Sequence, residues 1–253
     1  MPPQNDYPDF VARFYDVIYD RLRTGTDAEF YLRRMAEAEG PVLEIGTGTG
    51  RLFQEALSRG TDITGIDNSP AMIGVLRSKL EPADQTRVQV MDARRLSLAR
   101  RFSLIVAPFR VFSHLLGVED QLMVLNKVYD HLRPGGYFLF DVYVPNPKYI
   151  SEGLDGLVDF EGEFAAGRRF KRTTYMSADL VNQLSHVRMK FEWDEGGRLV
   201  EREWTFTLRF FFRYELEHLL QRSKLKLETI TGDFTGGPLE PDSKEFVILC
   251  GRT

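Results

Sequence analysis

The segment spanning residues 42–52 constrains the fold of this chain more than any other. It reads Val-Leu-Glu-Ile-Gly-Thr-Gly-Thr-Gly-Arg-Leu, a short apolar run followed by three alternating glycines and the start of a helical pattern. A strand, a glycine loop and a helix in that order are typical of a parallel α/β sheet, which binds ligands at the carboxyl ends of its strands. Because glycine lets backbone approach a ligand closely, the segment predicts a ligand-binding loop.

The spacing and charge of this loop indicate which ligand it favours. A dinucleotide-binding fingerprint follows the pattern G-x-G-x-x-G, whereas Gly46, Gly48 and Gly50 follow G-x-G-x-G and Arg51 occupies the next position. Glu44 precedes the first glycine by two residues, and its carboxylate would repel a pyrophosphate and attract an ammonium or sulfonium ion. The loop therefore favours a cationic ligand over NAD.

Strands and helices alternate up to about residue 145. Apolar runs and turn signals predict strands at 42–45, 62–66, 87–91, 102–107 and 137–142, and helices at 51–59, 69–80 and 119–132. Two further helices, separated near Gly25, are predicted within residues 10–38. This alternation predicts a parallel sheet with helices on both faces.

The periodicity changes to two after Pro145. Apolar residues at alternate positions predict a hairpin that turns at residues 194–197, preceded by strands at 157–164 and 169–176. A helix at 213–222 and strands at 225–232 and 245–252 then return the chain to the first sheet. We therefore expect one domain formed by residues 1–145 and 212–253, with residues 1–38 as a helical arm, and an inserted antiparallel subdomain at 146–211.

Composition narrows the classes of partner. The 253 residues carry 33 basic and 37 acidic side chains, a net charge of −4, so no global basic field is available for nucleic acid. The single cysteine, Cys250, excludes an internal disulfide and a cysteine zinc site, and we expect no metal and a reducing, cytoplasmic setting. Neither the N-terminal residues nor the longest apolar run, 104–109, predicts a signal peptide or a membrane span.

Four segments resemble, in order, the motifs of the class I S-adenosylmethionine-dependent methyltransferases. The glycine loop resembles their motif E/D-x-G-x-G-x-G, and Asp67 resembles the acidic residue that accepts hydrogen bonds from both ribose hydroxyls. Asp92 and Ala93 resemble the pair beside the adenine, and residues 133–136 resemble the L-x-P-G-G turn. Each feature alone could equally close a turn or cap a helix; together they imply a doubly wound, mostly parallel, seven-stranded Rossmann-like sheet with an inserted antiparallel layer and an N-terminal helical arm.

The resemblance implies that S-adenosylmethionine is the cofactor and S-adenosylhomocysteine its product. By position in the motifs, the residues expected to bind it are Tyr15, Tyr19, Glu44, Gly46, Thr47, Gly48, Gly50, Asp67, Asn68, Met72, Asp92, Ala93 and Pro108. The run at 14–20 is similar to the opening helix of amino-sugar N-methyltransferases, which carry an antiparallel insertion after strand five. In those relatives the helix folds over the cofactor, so Tyr15 and Tyr19 would cover its methionine end and the insertion would cover the active site. The alternative is an aromatic stripe packed on the core.

Transfer from a sulfonium is an in-line displacement that requires alignment more than a nucleophilic side chain. His114 is the candidate base, with a near-neutral pKa, and a surface or core histidine is the alternative. Arg110 is expected either to contact an acidic group of the substrate or to make a structural salt bridge. Residues 102–116 lack both the N-P-P-Y/F signature of amino-adenine methylases and the Pro-Cys pair of cytosine-C5 enzymes.

The basic run at residues 167–172 favours an anionic or RNA substrate on one interpretation and a solvated strand edge on the other. The sequence thus predicts a methyltransferase for a small-molecule acceptor, with nitrogen preferred over oxygen. A nicotinamide-dependent oxidoreductase, a non-catalytic S-adenosylmethionine-binding protein and an RNA methyltransferase are the alternatives. No nucleic-acid or membrane partner is expected, and a homodimer is left open.

Overall fold

The computed structural model describes residues 7–22 and 25–252, apart from the side chains of residues 20–22. The N-terminal residues 1–6, on which the absence of a signal peptide was judged, lie outside this range. The helices are α1 (Asp9–Leu22), α2 (Thr26–Ala36), α3 (Arg51–Ser58), α4 (Pro70–Lys79), α5 (Val118–His131), α6 (Pro147–Glu152) and α7 (Arg213–Gln221). Within the described residues, no helix has the length and apolar character to cross a bilayer.

Eleven strands are described and form two sheets. They are β1 (Val42–Ile45), β2 (Ile63–Asp67), β3 (Val88–Val90), β4 (Phe102–Ala107), β5 (Leu132–Tyr143), β6 (Leu154–Ala165), β7 (Arg168–Asp179), β8 (Leu184–Glu195), β9 (Arg198–Arg209), β10 (Lys226–Thr231) and β11 (Glu245–Gly251). The larger sheet has the order β10-β11-β5-β4-β1-β2-β3, and β11 runs in the opposite direction to the other six strands. The predicted fold class is confirmed.

Apolar residues on both faces of the central strands explain why helices cover both sides of this sheet. Along β4, Ile105 packs in a cluster with Val124 and Val128 of α5. Its neighbours Leu104 and Val106 point to the opposite face and pack in a second cluster with residues of α2, α3 and α4. Side chains alternate across a strand, so an uninterrupted apolar run such as β4 buries both faces.

Strand β5 begins earlier than predicted and contains a bulge. Phe102 pairs with Leu132, whereas Leu104, two residues further along β4, pairs with Tyr137. The intervening residues 133–136 therefore protrude from the ladder, with Gly135 at φ +75°. The predicted turn is thus part of β5 and not a separate connection before it.

Helix α6 was not predicted, because its six residues are too few for a clear period. Its start nevertheless has a recognisable signal. Asn146 caps it by accepting a hydrogen bond from the backbone N–H of Lys148 at 3.0 Å, and Pro147 occupies the first turn.

The inserted sheet has the order β6-β7-β8-β9 and packs one face on α1. The ring of Phe14 lies 4.4 Å from that of Phe170 and 5.2 Å from that of Trp193. Phe10 contacts Phe191, with 5.3 Å between ring centroids. These aromatic contacts hold α1 against the inserted sheet, and α1 also packs on α4.

Candidate functional site

The glycine loop between β1 and α3 has a backbone that other residues would strain. Gly46, Gly48 and Gly50 have φ values of +73°, +56° and +90°. A side chain at Gly46 would meet Val111, and one at Gly50 would meet Leu76. Positive φ and close packing therefore explain the alternating glycines.

Asp67, at the end of β2, holds this loop. One carboxylate oxygen accepts the backbone N–H of Gly48 at 2.9 Å and the other accepts that of Ser69 at 2.8 Å. Burial raises the pKa of Asp67, while these two hydrogen bonds oppose the rise. Each carboxylate oxygen has a second lone pair, so Asp67 can also accept from a ligand.

Glu44 lies within β1 with only 2% of its surface exposed. Its Oε2 accepts a hydrogen bond from the Thr47 hydroxyl at 3.1 Å. Burial raises the pKa of Glu44 from its usual 4.5 to about 8, so the carboxyl is protonated at neutral pH in the absence of a ligand. A cation bound beside it would favour the ionised form.

A cavity of about 1550 Å³ opens at the carboxyl ends of the parallel strands. It brings together most of the sequence-predicted site residues: Tyr15, Gly46, Gly48, Asp67, Asn68, Met72, Asp92, Ala93, Pro108 and His114. Tyr19, Glu44 and Thr47 line a small adjoining cavity, which shares Tyr15, Gly46 and Gly48 with the larger one. Gly50 and Arg110 line neither.

Asp92 is engaged by Arg94, which the sequence analysis missed. Both carboxylate oxygens of Asp92 accept hydrogen bonds from the Arg94 guanidinium, at 2.6–3.0 Å. Partial burial acts to raise the pKa of Asp92, but the bonds from Arg94 keep it below its usual value. Arg94 also donates to Asp120 at 3.0 Å, and all three side chains line the cavity.

Helix α1 is fastened to the glycine loop through Asp16, a second residue that the analysis missed. Its carboxylate accepts from the Thr49 hydroxyl at 2.6 Å and forms an ion pair with Lys79, which also donates to the Thr49 carbonyl. Tyr15 and Tyr19, which flank this anchor, have ring centroids 4.4 Å apart. Helix α1 thus lies against the glycine loop.

His114 ends a short 3₁₀ turn, Val111–His114, and projects into the cavity. Its Nε2 lies 3.3 Å from the hydroxyl of Tyr7. Burial lowers the pKa of His114 to about 4, so the expected near-neutral pKa is wrong. The surroundings are aromatic, because Tyr7 lies 4.6 Å from Trp204 and the His114 ring lies 6.3 Å from Phe206.

Arg110 makes the structural salt bridge that was the alternative to a substrate contact. Its guanidinium pairs with Glu245 on β11 and lies 5.5 Å from the ring centroid of Tyr143. Since Arg110 does not line the cavity, the substrate-contact hypothesis is not supported.

The basic run is not a strand edge, because β7 lies between β6 and β8. The side chain of Arg172 is only 5% exposed; it pairs with Asp159 at 2.7 Å and lies over the ring of Tyr19. Arg168 lies 3.9 Å from Glu195. Two of the three arginines of this run, Arg168 and Arg172, are therefore paired within the protein, which weakens the interpretation of the run as an RNA contact.

Known proteins resemble this chain in sequence and in fold. A family model described as a methyltransferase domain matches residues 42–136. The chain is 30% identical over 159 residues to a demethylmenaquinone methyltransferase of Thermus thermophilus, covering 58% of this chain and 67% of that protein. It is 26% identical over 204 residues to a glycine/sarcosine N-methyltransferase of Parasynechococcus marenigrum, covering 77% and 68%. The structure of the sugar N-methyltransferase KedS8 from Streptoalloteichus sp. ATCC 53650 matches with a TM-score of 0.75 at 18% identity, covering 98% of this chain and 96% of that chain.

Proposed function

Because the chain belongs to the S-adenosylmethionine-dependent methyltransferases, we propose that it transfers the methyl group to a nitrogen atom of a small-molecule amine. In this proposal residues 1–145 and 212–253 bind the cofactor, and the inserted subdomain at 146–211 encloses the acceptor. The nicotinamide alternative has no support from these relatives.

The geometry supports a specific orientation of the cofactor in the cavity. The ammonium of its methionine end would lie near the buried carboxyl of Glu44, whose ionised form it would favour. The ribose hydroxyls would donate to Asp67, and the adenine would lie beside Asp92 and Ala93. Tyr15 and Tyr19 on α1 would cover the methionine end. This orientation directs the methyl group past Pro108 towards His114.

The proposed acceptor chamber is the part of the cavity that His114 lines. We define it by four aromatic side chains that line the cavity there: Tyr7, His114, Trp204 and Phe206. Two come from the inserted sheet, one precedes α1 and one follows β4, so the chamber is enclosed by separate segments of the chain. Aromatic faces bind organic cations and apolar ring faces, which supports an amine on a compact scaffold.

The observation that carries the preference for nitrogen is the burial of His114 beside the rings of Tyr7 and Phe206, which lowers its pKa to about 4. Deprotonating a hydroxyl with a water-like pKa at pH 7 costs about 12 kcal/mol, whereas converting a lysine-like ammonium into its neutral amine costs about 5 kcal/mol. A weakly basic imidazole cannot remove the proton of a hydroxyl efficiently, but it can accept a hydrogen bond from an amine N–H. Names of relatives support the same choice, since two of them are N-methyltransferases.

The test uses acceptors in matched pairs. Purified protein and S-adenosylmethionine are incubated with 2-amino-2-deoxyglucose or glucose, and with glycine or glycolate, and methylated product is measured by mass spectrometry. We expect at least one amine to exceed its hydroxyl partner at least 100-fold in kcat/KM. Preferential methylation of the hydroxyl compounds would overturn the nitrogen assignment. S-adenosylhomocysteine binding without transfer to any amine or hydroxyl would instead support a non-catalytic binding protein.

A further inference from the structure

The turn that follows β4 has an unusual backbone. Phe109 and Arg110, both non-glycine, have φ values of +60° and +66°. Within residues 7–22 and 25–252 the only other non-glycine residue with a positive φ is Gln183. Such conformations cost free energy and persist only where surrounding contacts impose them.

One buried carboxylate imposes this conformation. Asp141, on β5, is 1% exposed. Its Oδ1 accepts the backbone N–H of Phe109 at 2.8 Å, and its Oδ2 accepts that of Arg110 at 3.1 Å. Tyr31, on α2, donates its hydroxyl to Oδ1 at 2.6 Å. The two strained residues are thus both bonded to the same side chain.

The turn connects to both halves of the candidate site. Pro108, immediately before it, lines the cavity. Val111, immediately after it, packs against Gly46 so closely that no side chain fits there. His114 follows three residues later and also lines the cavity. A rotation of the turn would therefore move His114, one of the four residues of the acceptor chamber, relative to the glycine loop.

We propose that Asp141 is a positioning residue for methyl transfer, whose carboxylate holds the strained turn and so sets the distance between the acceptor chamber and the cofactor. The proposal rests on the proposed function, since it concerns the rate of that transfer. In-line displacement is sensitive to small misalignment of donor and acceptor, which is why a residue that touches neither can govern the rate.

If this network only stabilised the fold, Tyr31→Phe and Asp141→Asn would lower kcat to the same extent. Tyr31→Phe removes one donor to Asp141 and leaves both backbone hydrogen bonds to the turn. Asp141→Asn replaces one carboxylate oxygen by an NH₂ group, so one of the two backbone N–H groups loses its acceptor. Both variants are expected to have a lower melting temperature than wild type, but only Asp141→Asn disturbs the turn.

The experiment measures melting temperature, S-adenosylhomocysteine affinity and kcat, using the amine with the highest kcat/KM from the matched panel. We expect Asp141→Asn to lower kcat at least tenfold while its affinity for S-adenosylhomocysteine stays within threefold of wild type. Tyr31→Phe should keep kcat within twofold.

A second pair of variants separates positioning from stability. In the Asp141→Asn background, Arg110→Gly supplies a residue that adopts positive φ without strain, and Arg110→Ala removes the same salt bridge to Glu245 without that freedom. The double variant with Arg110→Gly should have a kcat at least threefold higher than the double variant with Arg110→Ala.

Equal kcat values for the two Arg110 variants, or equal losses for Asp141→Asn and Tyr31→Phe, would overturn the positioning role. Wild-type protein that methylates no acceptor would overturn the proposed function and this inference with it. Turnover by wild type with an unchanged Asp141→Asn variant would overturn this inference alone.

Discussion

Replacing Glu44 by glutamine should stabilise the cofactor-free protein and impair the cofactor-bound one. The carboxyl is buried, and its pKa is raised from 4.5 to about 8. At pH values between 4.5 and 8, the Glu44 carboxyl is ionised in the unfolded chain and protonated in the folded protein. Folding stability therefore falls as pH rises through this window and levels off above pH 8.

The size of the effect follows from the width of the window. Each pH unit between 4.5 and 8 lowers the free energy of unfolding by about 1.4 kcal/mol. Glu44 therefore lowers it by about 3 kcal/mol at pH 7 and by less than about 1 kcal/mol at pH 5. The glutamine amide is neutral at both pH values and keeps an oxygen that can accept from Thr47. We expect Glu44→Gln to gain most of this free energy, equivalent to roughly 6–12 °C in Tm at pH 7.

The assay is urea or thermal unfolding of both proteins at pH 5 and pH 7, without and with S-adenosylhomocysteine. Glu37→Gln, a change at an exposed side chain, is the matched control and should change stability little at either pH. Saturating S-adenosylhomocysteine should reverse the order, because its ammonium pairs only with the carboxylate. A variant no more stable than wild type at pH 7, or a difference that is equal at pH 5 and pH 7, would refute this account of Glu44.

Three further predictions concern the loop and the inserted sheet. Asp67→Ala should weaken S-adenosylhomocysteine binding at least tenfold by calorimetry, because it removes the acceptor of the ribose hydroxyls; unchanged affinity would contradict the proposed orientation. Gly46→Ala should lower Tm and abolish measurable binding, since its side chain would meet Val111 at a positive φ, and normal binding would contradict that packing. Arg172→Met should cost about 2–4 kcal/mol in urea unfolding by removing the cationic partner of Asp159, and a loss below about 0.5 kcal/mol would show that the pair contributes little.

The larger sheet was predictable because its strands are short apolar runs separated by glycine, proline and amphipathic helices. The bulge at residues 133–136 was not, since proline and two glycines indicate a turn, and only pairing on both sides of them keeps the segment within β5. The position of β7 inside the inserted sheet was also missed. A basic run is compatible with an edge strand or with a central strand whose charges are paired, and the partner of Arg172 lies thirteen residues away on β6.

The candidate site also has a part that the sequence predicts and a part that it does not. Glu44 and the glycines belong to one motif and Asp67 to the next, so their arrangement around the loop followed from the order of the motifs. His114 and Tyr7 meet across 107 residues of chain, and burial by such distant segments changes the pKa of a histidine in a way that no local pattern encodes. The carboxylate of Asp141 lies 32 residues from the turn that it holds.

The most direct test of the central claim is calorimetric titration of the purified protein with S-adenosylmethionine and S-adenosylhomocysteine, with NAD as the control ligand. The account predicts one site per chain, a micromolar or lower Kd for both sulfur ligands and no heat of binding from NAD. S-adenosylhomocysteine binding at pH 7 should also release close to one proton from Glu44, seen as a dependence of the heat on buffer ionisation. Binding of NAD with neither sulfur ligand bound would contradict the cofactor assignment and the function built on it.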